Sequence, residues 1–293
     1  MSGILVGCGQ ITWSRGTPEE RVLAEIAQAG YDGAPAYPHA GQSPPETVAF
    51  YARYELKCAP GYFGADFWRA DPRDCILEGA RRHARFMRQV GCTELYVAAG
   101  GFEGYVAASG KDRKQVAGHV SPADGLTPAE FRQFAGTLNQ VGEITLQEGV
   151  RSCFHNHVGS VIETGDEMER LLALVDPALV FLGPDTGHLA WGGVDAADFC
   201  RRYAARIQTL HVKDVDGAVL ARGVAAGWDY DTFAQNGLFA ELGEGCLDFP
   251  AIFDALRAAG FAGWVITETD VTQKPTALES VTISREYLRR LGL

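Results

Sequence analysis

The chain has 293 residues, 46% of them hydrophobic, with a formal net charge of −11. That length suits a single α/β barrel with a large core. Its 37 acidic residues against 26 Lys and Arg lack the basic excess that a phosphate backbone demands, so no nucleic-acid partner is expected. The opening MSGILVGCGQITWSRG has no basic leader and too short an apolar run for a signal peptide, and no stretch approaches the roughly 20 apolar residues of a membrane span. The cysteines (Cys8, Cys58, Cys75, Cys92, Cys153, Cys200, Cys246) show no CxxC pairing and sit mostly in apolar contexts. They read as reduced and mostly core thiols, which predicts a cytoplasmic protein without a zinc–cysteine site, and the missing span predicts no membrane partner.

ILVGC (4–8) reads as the first strand, and TPEERVLAEIAQAG as a helix capped by Thr17, with Pro18 at its first position and Gly30 at its end. YDGAPA is a second strand, SPPETVAFYARY a helix from Ser43, and ELKCA a third strand. DPRDCILEGARRHARFMRQVG is a helix stopped by Gly91, and TELYVAA a fourth strand. The second half repeats the alternation. A helix capped by Thr127 precedes VRSCFHNH (strand five), TGDEMERLLALV precedes LVFLG (strand six), and DAADFCRRYAARI precedes IQTLHVKD (strand seven). DFPAIFDALRAAG, GWVITETD (strand eight) and a last helix from KPTALES close the chain. Eight strand–helix alternations predict one (β/α)₈ barrel domain over residues 1–293. A doubly wound sheet would want a glycine-rich phosphate loop after strand one, and GCGQITW lacks its third glycine. Two connections, about 100–126 and 214–247, are far longer than the usual ~2–6 residues and follow strands, so they are expected over the C-terminal face as lids or substrate walls.

In such a barrel the reacting groups project from the C-terminal strand ends. Strand five ends in His155-Asn156-His157, with Glu163 just beyond; strand six ends at Asp185, with His188 three further on. Strand seven ends in His211-Val212-Lys213-Asp214 and strand eight in Glu268-Thr269-Asp270. Strand alternation puts His211 and Lys213 on one face. Each group alone is as well read as a core histidine, a turn cap or an ion pair. Four adjacent strand ends together point to a divalent-metal site with oxygen and nitrogen donors.

HNHVGSVIET, PDTGHLAWGG, LHVKD, GEGCLDF and GWVITETD occur in the order found in the xylose-isomerase-like barrels of sugar isomerases, epimerases and dehydratases. Within that superfamily the chain most resembles the inosose dehydratases. The resemblance spans about residues 150–270 and is weaker before. It implies a divalent ion (Mn²⁺, Co²⁺, Zn²⁺ or Mg²⁺) held by Asp185, His211 and Glu268 with one group from strand five. Relatives with an E-P-x-N strand use its Glu; this strand reads CFHNH, so Glu163, His157 and His155 are the alternatives there. Many relatives also carry Glu in place of Pro35.

The implied chemistry is removal of a proton next to a carbonyl of a sugar or ketocyclitol. Inosose dehydration is the first reading, ketose 3-epimerisation or aldose–ketose isomerisation the second, and a non-catalytic sugar-binding barrel the third. Glu268, Lys213, His157 and His155 are the candidate catalytic groups; Lys213 would stabilise negative charge, or act as an acid if its pKa is depressed. His188, Trp191, Phe102 and Trp228 are expected to face the substrate, the aromatics by stacking on its ring. A homo-oligomer is expected from the same resemblance.

Overall fold

The computed structural model describes residues 3–39 and 41–293. Its strands are β1 (Leu5–Cys8), β2 (Gly33–Pro35), β3 (Lys57–Ala59), β4 (Tyr62–Ala65), β5 (Glu94–Ala99), β6 (Arg151–His155), β7 (Val180–Leu182), β8 (Thr209–Val212), β9 (Asp214–Val215), β10 (Phe239–Ala240) and β11 (Trp264–Thr267). The barrel strands run parallel in two ladders, β3-β2-β1-β11-β8 and β4-β5-β6-β7; β9 and β10 form a separate antiparallel pair. β3 and β4 are two halves of one strand. Pro60 has no N–H for the ladder, and a Cβ on Gly61 would stand 2.3 Å from the Ala36 carbonyl, so only glycine passes there. On the other side the ladders meet through single bridges, Leu182 to Ile207 and Asp185 to His211. The expected (β/α)₈ barrel is therefore present.

Side-chain alternation builds two cores. Val97, Leu210, Val212 and Val265 face outward into the layer beneath the helices, with Leu23, Ile26, Leu138 and Leu256. Tyr96, Trp264 and Ile266 face inward with Ala59 and fill the barrel. The helices are α1 (Glu19–Ala29), α2 (Pro44–Ala52), α3 (Arg73–Gln89), α4 (Pro128–Gln147), α5 (Gly165–Leu174), α6 (Thr186–Trp191), α7 (Ala196–Tyr203), α8 (Gly217–Ala226), α9 (Tyr230–Gln235), α10 (Phe249–Ala258) and α11 (Ala277–Arg290). α4 and α5 start at capping boxes, Thr127 with Glu130 and Thr164 with Glu167. α1 departs from expectation: the Thr17 hydroxyl turns back to the Ser14 carbonyl, and Pro18 takes the cap position. α6 was unforeseen in the sequence, where DTGHLAW read as a strand end or turn.

The two long connections follow β5 and β8, and each is closed by a buried carboxylate. Asp214 accepts the amides of Val215, Gly243, Gly245 and Leu247, drawing together the ends of a loop that contains α8 and α9. Glu163 accepts the amides of Gly118 and Gly159, both at 2.7 Å, and so ties the 100–126 loop to the turn after β6. Arg113, fully buried, lies 3.7 Å from Glu163 and forms a two-pronged pair with Glu167 at 2.9 Å. The two loops then pack on each other through Ala117, Trp191, Val219, Phe233 and Phe239. No helix among the described residues is long and apolar enough to cross a membrane.

Burial raises the Glu163 pKa from 4.5 to about 7, although Arg113 and the two amides favour its charge. The folded protein thus holds this proton more tightly than the unfolded chain. Stability should fall as pH rises from about 4.5 to about 7 and level off above, by up to about 3 kcal/mol for this group. Glu163→Gln retains one carbonyl acceptor and cannot titrate. Denaturant titrations at pH 5 and pH 8 should show the variant less stable than wild type at pH 5, with the gap narrowing at pH 8. A constant gap would rule out this role for the Glu163 charge.

Candidate active site

A cavity of about 400 Å³ opens at the C-terminal rim. Ile11, Pro35, Pro60, Tyr62 and Phe102 form its apolar wall, and His155, His157, His211, Lys213, Glu268 and Asp270 its polar side. Its floor is the filling of the barrel: the Tyr96 ring lies 4.2 Å from the His211 ring and 5.7 Å from that of His155.

The strand register brings the polar groups together. His211 pairs with Asp185 on one side and with Ile266, two residues before Glu268, on the other. Asp185 caps α6: its Oδ1 accepts the His188 amide at 3.0 Å. The Asn156 side chain grips the Asp185 backbone, accepting its N–H at 3.0 Å and donating to its carbonyl at 3.3 Å. This fixes Asp185 from two sides and leaves Oδ2 buried without a hydrogen-bond partner. His211 Nδ1 is likewise buried and unpartnered. The two atoms are 3.8 Å apart, and Glu268 Oε2 is 3.4 Å from His211 Nδ1. His155 bonds the Gly183 carbonyl through Nδ1 at 3.2 Å, which leaves Nε2 as its acceptor. Ligand atoms of His155, Asp185 and His211 all lie within 4.8 Å of one another. Buried polar atoms without partners are costly. Two of them side by side, flanked by an imidazole and a carboxylate, fit a divalent cation bound by nitrogen and oxygen.

Lys213 is buried beside this group. Its Nζ lies 3.6 Å from both Asp185 Oδ2 and Glu268 Oε2, and bonds Asp270 Oδ1. Burial opposes its charge, but Asp185, Asp270 and Glu268 outweigh that and hold its pKa well above the ordinary value. Carboxylates on three sides thus stabilise the ammonium. Burial works against ionised Glu268 too, yet His211 and Lys213 bring its pKa down to about 2. Burial, with nearby positive charge, lowers His157 to about 4 and His155 and His188 well below their usual range, so these three imidazoles are neutral.

Asp185, His211, Glu268, Lys213, His155, His157 and Phe102 thus gather at the cavity. Phe102 is held at φ 42°, which non-glycine residues rarely adopt, by a bond from its amide to the Gly159 carbonyl; its ring lies 5.3 Å from that of His157. Other expected residues are placed elsewhere. Glu163 ties the loops through its amide bonds and stands outside the donor group. His188 is fully buried behind Lys213, with Nζ 3.3 Å from its Nε2. Trp191 is buried between the loops against Tyr230 and Phe233, and Trp228 packs on Phe233, so neither lines the cavity. Sequence reading assigned no role to Asp270, although ITETD puts it on the same face as Glu268, or to Asn156, whose partner is 29 residues away. Tyr62 was missed because the second half of the third strand was not recognised.

One protein of similar sequence and two of similar structure stand beside this chain. An inosose dehydratase of Geobacillus kaustophilus is 31% identical over 277 residues, 93% of this chain and 87% of that protein. The structure of an L-ribulose 3-epimerase matches with a TM-score of 0.70 at 19% identity, covering 99% of this chain and 94% of the other. A probable 3-DHS dehydratase of Bacillus anthracis involved in petrobactin synthesis matches with a TM-score of 0.72 at 14% identity, covering 97% and 98%. At those identities the two structures speak for the fold alone. The family model described as xylose isomerase-like TIM barrel matches residues 23–291, and the chain belongs to that family.

Proposed function

We propose that the protein is a divalent-metal-dependent enzyme that removes a proton next to a carbonyl of an uncharged sugar or cyclitol, with dehydration of an inosose as the first reading. The observation that carries this is the pair of buried, unpartnered atoms, Asp185 Oδ2 and His211 Nδ1, turned toward each other at the cavity. Identity of 31% to an inosose dehydratase over 93% of the chain supports the choice of substrate. The ion would be held by Asp185, His211, Glu268 and His155, and when bound would supply a Lewis acid for the substrate's carbonyl and neighbouring hydroxyl.

The chain's own residues account for the rest. His157 donates through Nδ1 to the Val158 carbonyl at 2.7 Å, which leaves Nε2 as a neutral acceptor at the cavity. His157 and Glu268 are the groups placed to take the proton or to return one to a departing hydroxyl. The Lys213 ammonium offsets the negative charge that develops on oxygen once the proton leaves. Phe102, Tyr62 and Ile11 exclude water and offer apolar faces to a ring.

Charge selects against anionic substrates. Asp185, Glu268 and Asp270 carry three negative charges against one positive on Lys213, and no other Lys or Arg lines the cavity among the described residues. One divalent ion balances that remainder, which leaves nothing to neutralise a phosphate or carboxylate.

The test is incubation with Mn²⁺ or Co²⁺ and 2-keto-myo-inositol. A diketone chromophore should appear, and Asp185→Asn should lower turnover by about 100-fold or more, with loss of bound metal. Formation of a C3 epimer from a ketohexose without any diketone would select the epimerase reading. Unchanged sugar affinity in Asp185→Asn without turnover in either protein would select a binding barrel. Asn156→Ala should weaken metal affinity by roughly 10–100-fold, read by calorimetry. Phosphorylated ketoses should compete at least roughly 10-fold more weakly than their uncharged counterparts in the same assay.

A further inference from the structure

Asp185 and Glu268 each face two shared positions. One is the point they share with His211, at 3.8 and 3.4 Å from its Nδ1. The other is Lys213 Nζ, 3.6 Å from the same Asp185 Oδ2 and the same Glu268 Oε2. Carboxylates shared between two neighbouring cations are the arrangement of two-metal centres, whose ions stand about 3.5–4 Å apart. The surroundings of Nζ complete that likeness. Asp270 bonds the ammonium, and His157, His188 and Asp270 form a second group whose ligand atoms lie within 4.8 Å of one another. The Val158 amide donates to His188 Nδ1 at 3.3 Å, which places the His188 proton on Nε2. The carboxylates therefore hold the ammonium, and His157, with its free Nε2, is the imidazole left to offer a lone pair.

We propose that the Lys213 ammonium is a built-in second cation, filling a metal position formed by Asp185, Glu268, Asp270 and His157, so that the protein takes one divalent ion per chain where its donor set could hold two. This rests on the metal reading above. Lysine suits the place for three reasons. It is a compact point charge with three donors, matching three carboxylates. It is tethered, so it neither dissociates nor exchanges. It is 1% exposed, with Nζ 5.4 Å from the face of Phe239, so the stem is packed and the charge cannot swing away. Shortening the side chain removes the positive charge and opens space among three carboxylates, the conditions under which a second divalent ion binds.

The experiment is Mn²⁺ stoichiometry on the full chain, by elemental analysis after equilibrium dialysis, with electron paramagnetic resonance of the same samples. Wild type should hold one Mn²⁺ with the six-line spectrum of an isolated ion. Lys213→Ala should hold two with a spin-coupled spectrum, and Lys213→Ala/Asp270→Asn should return to one. Lys213→Met, which fills the space without a charge, should hold one. Two ions in wild type would overturn the proposal. So would a single ion in Lys213→Ala that melts as a folded protein. Should Lys213→Ala fail to fold, Lys213→Ser and the wild-type count still decide it. No ion in wild type but one in Lys213→Ala would keep the Lys213 position and remove the metal reading of the previous section. No ion in either would remove both.

Discussion

Three carboxylates and one ammonium share a largely buried space at the mouth of the barrel, and most of the surrounding structure is arranged to make that tolerable. Buried charge is costly unless it is paired and hydrogen-bonded. Here the pairing is incomplete: Asp185 keeps one oxygen for the α6 cap, and the other, though 3.6 Å from Lys213 Nζ, has no hydrogen-bond partner. Such an atom persists only where the backbone around it is over-determined, and it is. The Asn156 amide holds Asp185 from the side, and the ladder from β11 to β8 fixes His211. The aromatic filling beneath the imidazoles prevents them from sinking inward.

The loops repeat the same device at larger scale. A short strand end cannot dictate where a connection of more than 20 residues goes, but a buried acid that collects amides from distant points can. Asp214 does this for one connection and Glu163 for the other. The two loops then meet around Trp191 and Phe233. Acids near a catalytic mouth thus divide into those that face the cavity and those that hold its walls, and the hydrogen-bond partners tell them apart.

That division was only partly legible in the sequence. Helix caps, glycine stops and apolar alternation located all eight barrel strands, because each is a local signal. Strand parity puts His211 and Lys213 on one face for the same reason, whereas the grouping of Asp185, His211 and Glu268 comes from the family resemblance. The loop contacts of Glu163 were not legible because its partners, Gly118 and Arg113, are about 50 residues away and carry no motif. Trp191 and Trp228 read as stacking aromatics because a large apolar side chain beside a site has the same sequence appearance whether it faces substrate or a second loop. The third strand was cut short because PGYFG has the composition of a turn, yet its backbone resumes the ladder at Tyr62.

The barrel is not one continuous ladder. One of its two joins, between β7 and β8, consists of the single bridges from Leu182 to Ile207 and from Asp185 to His211. The second of these bridges is made by two residues whose side chains leave unpartnered atoms facing each other. A ligand held by those two atoms would therefore also stitch the seam of the barrel. Loading and unloading the site would change the rigidity of the whole cylinder, not of a loop alone, because a ligand that binds only the folded state adds its binding free energy to the cohesion of the two halves.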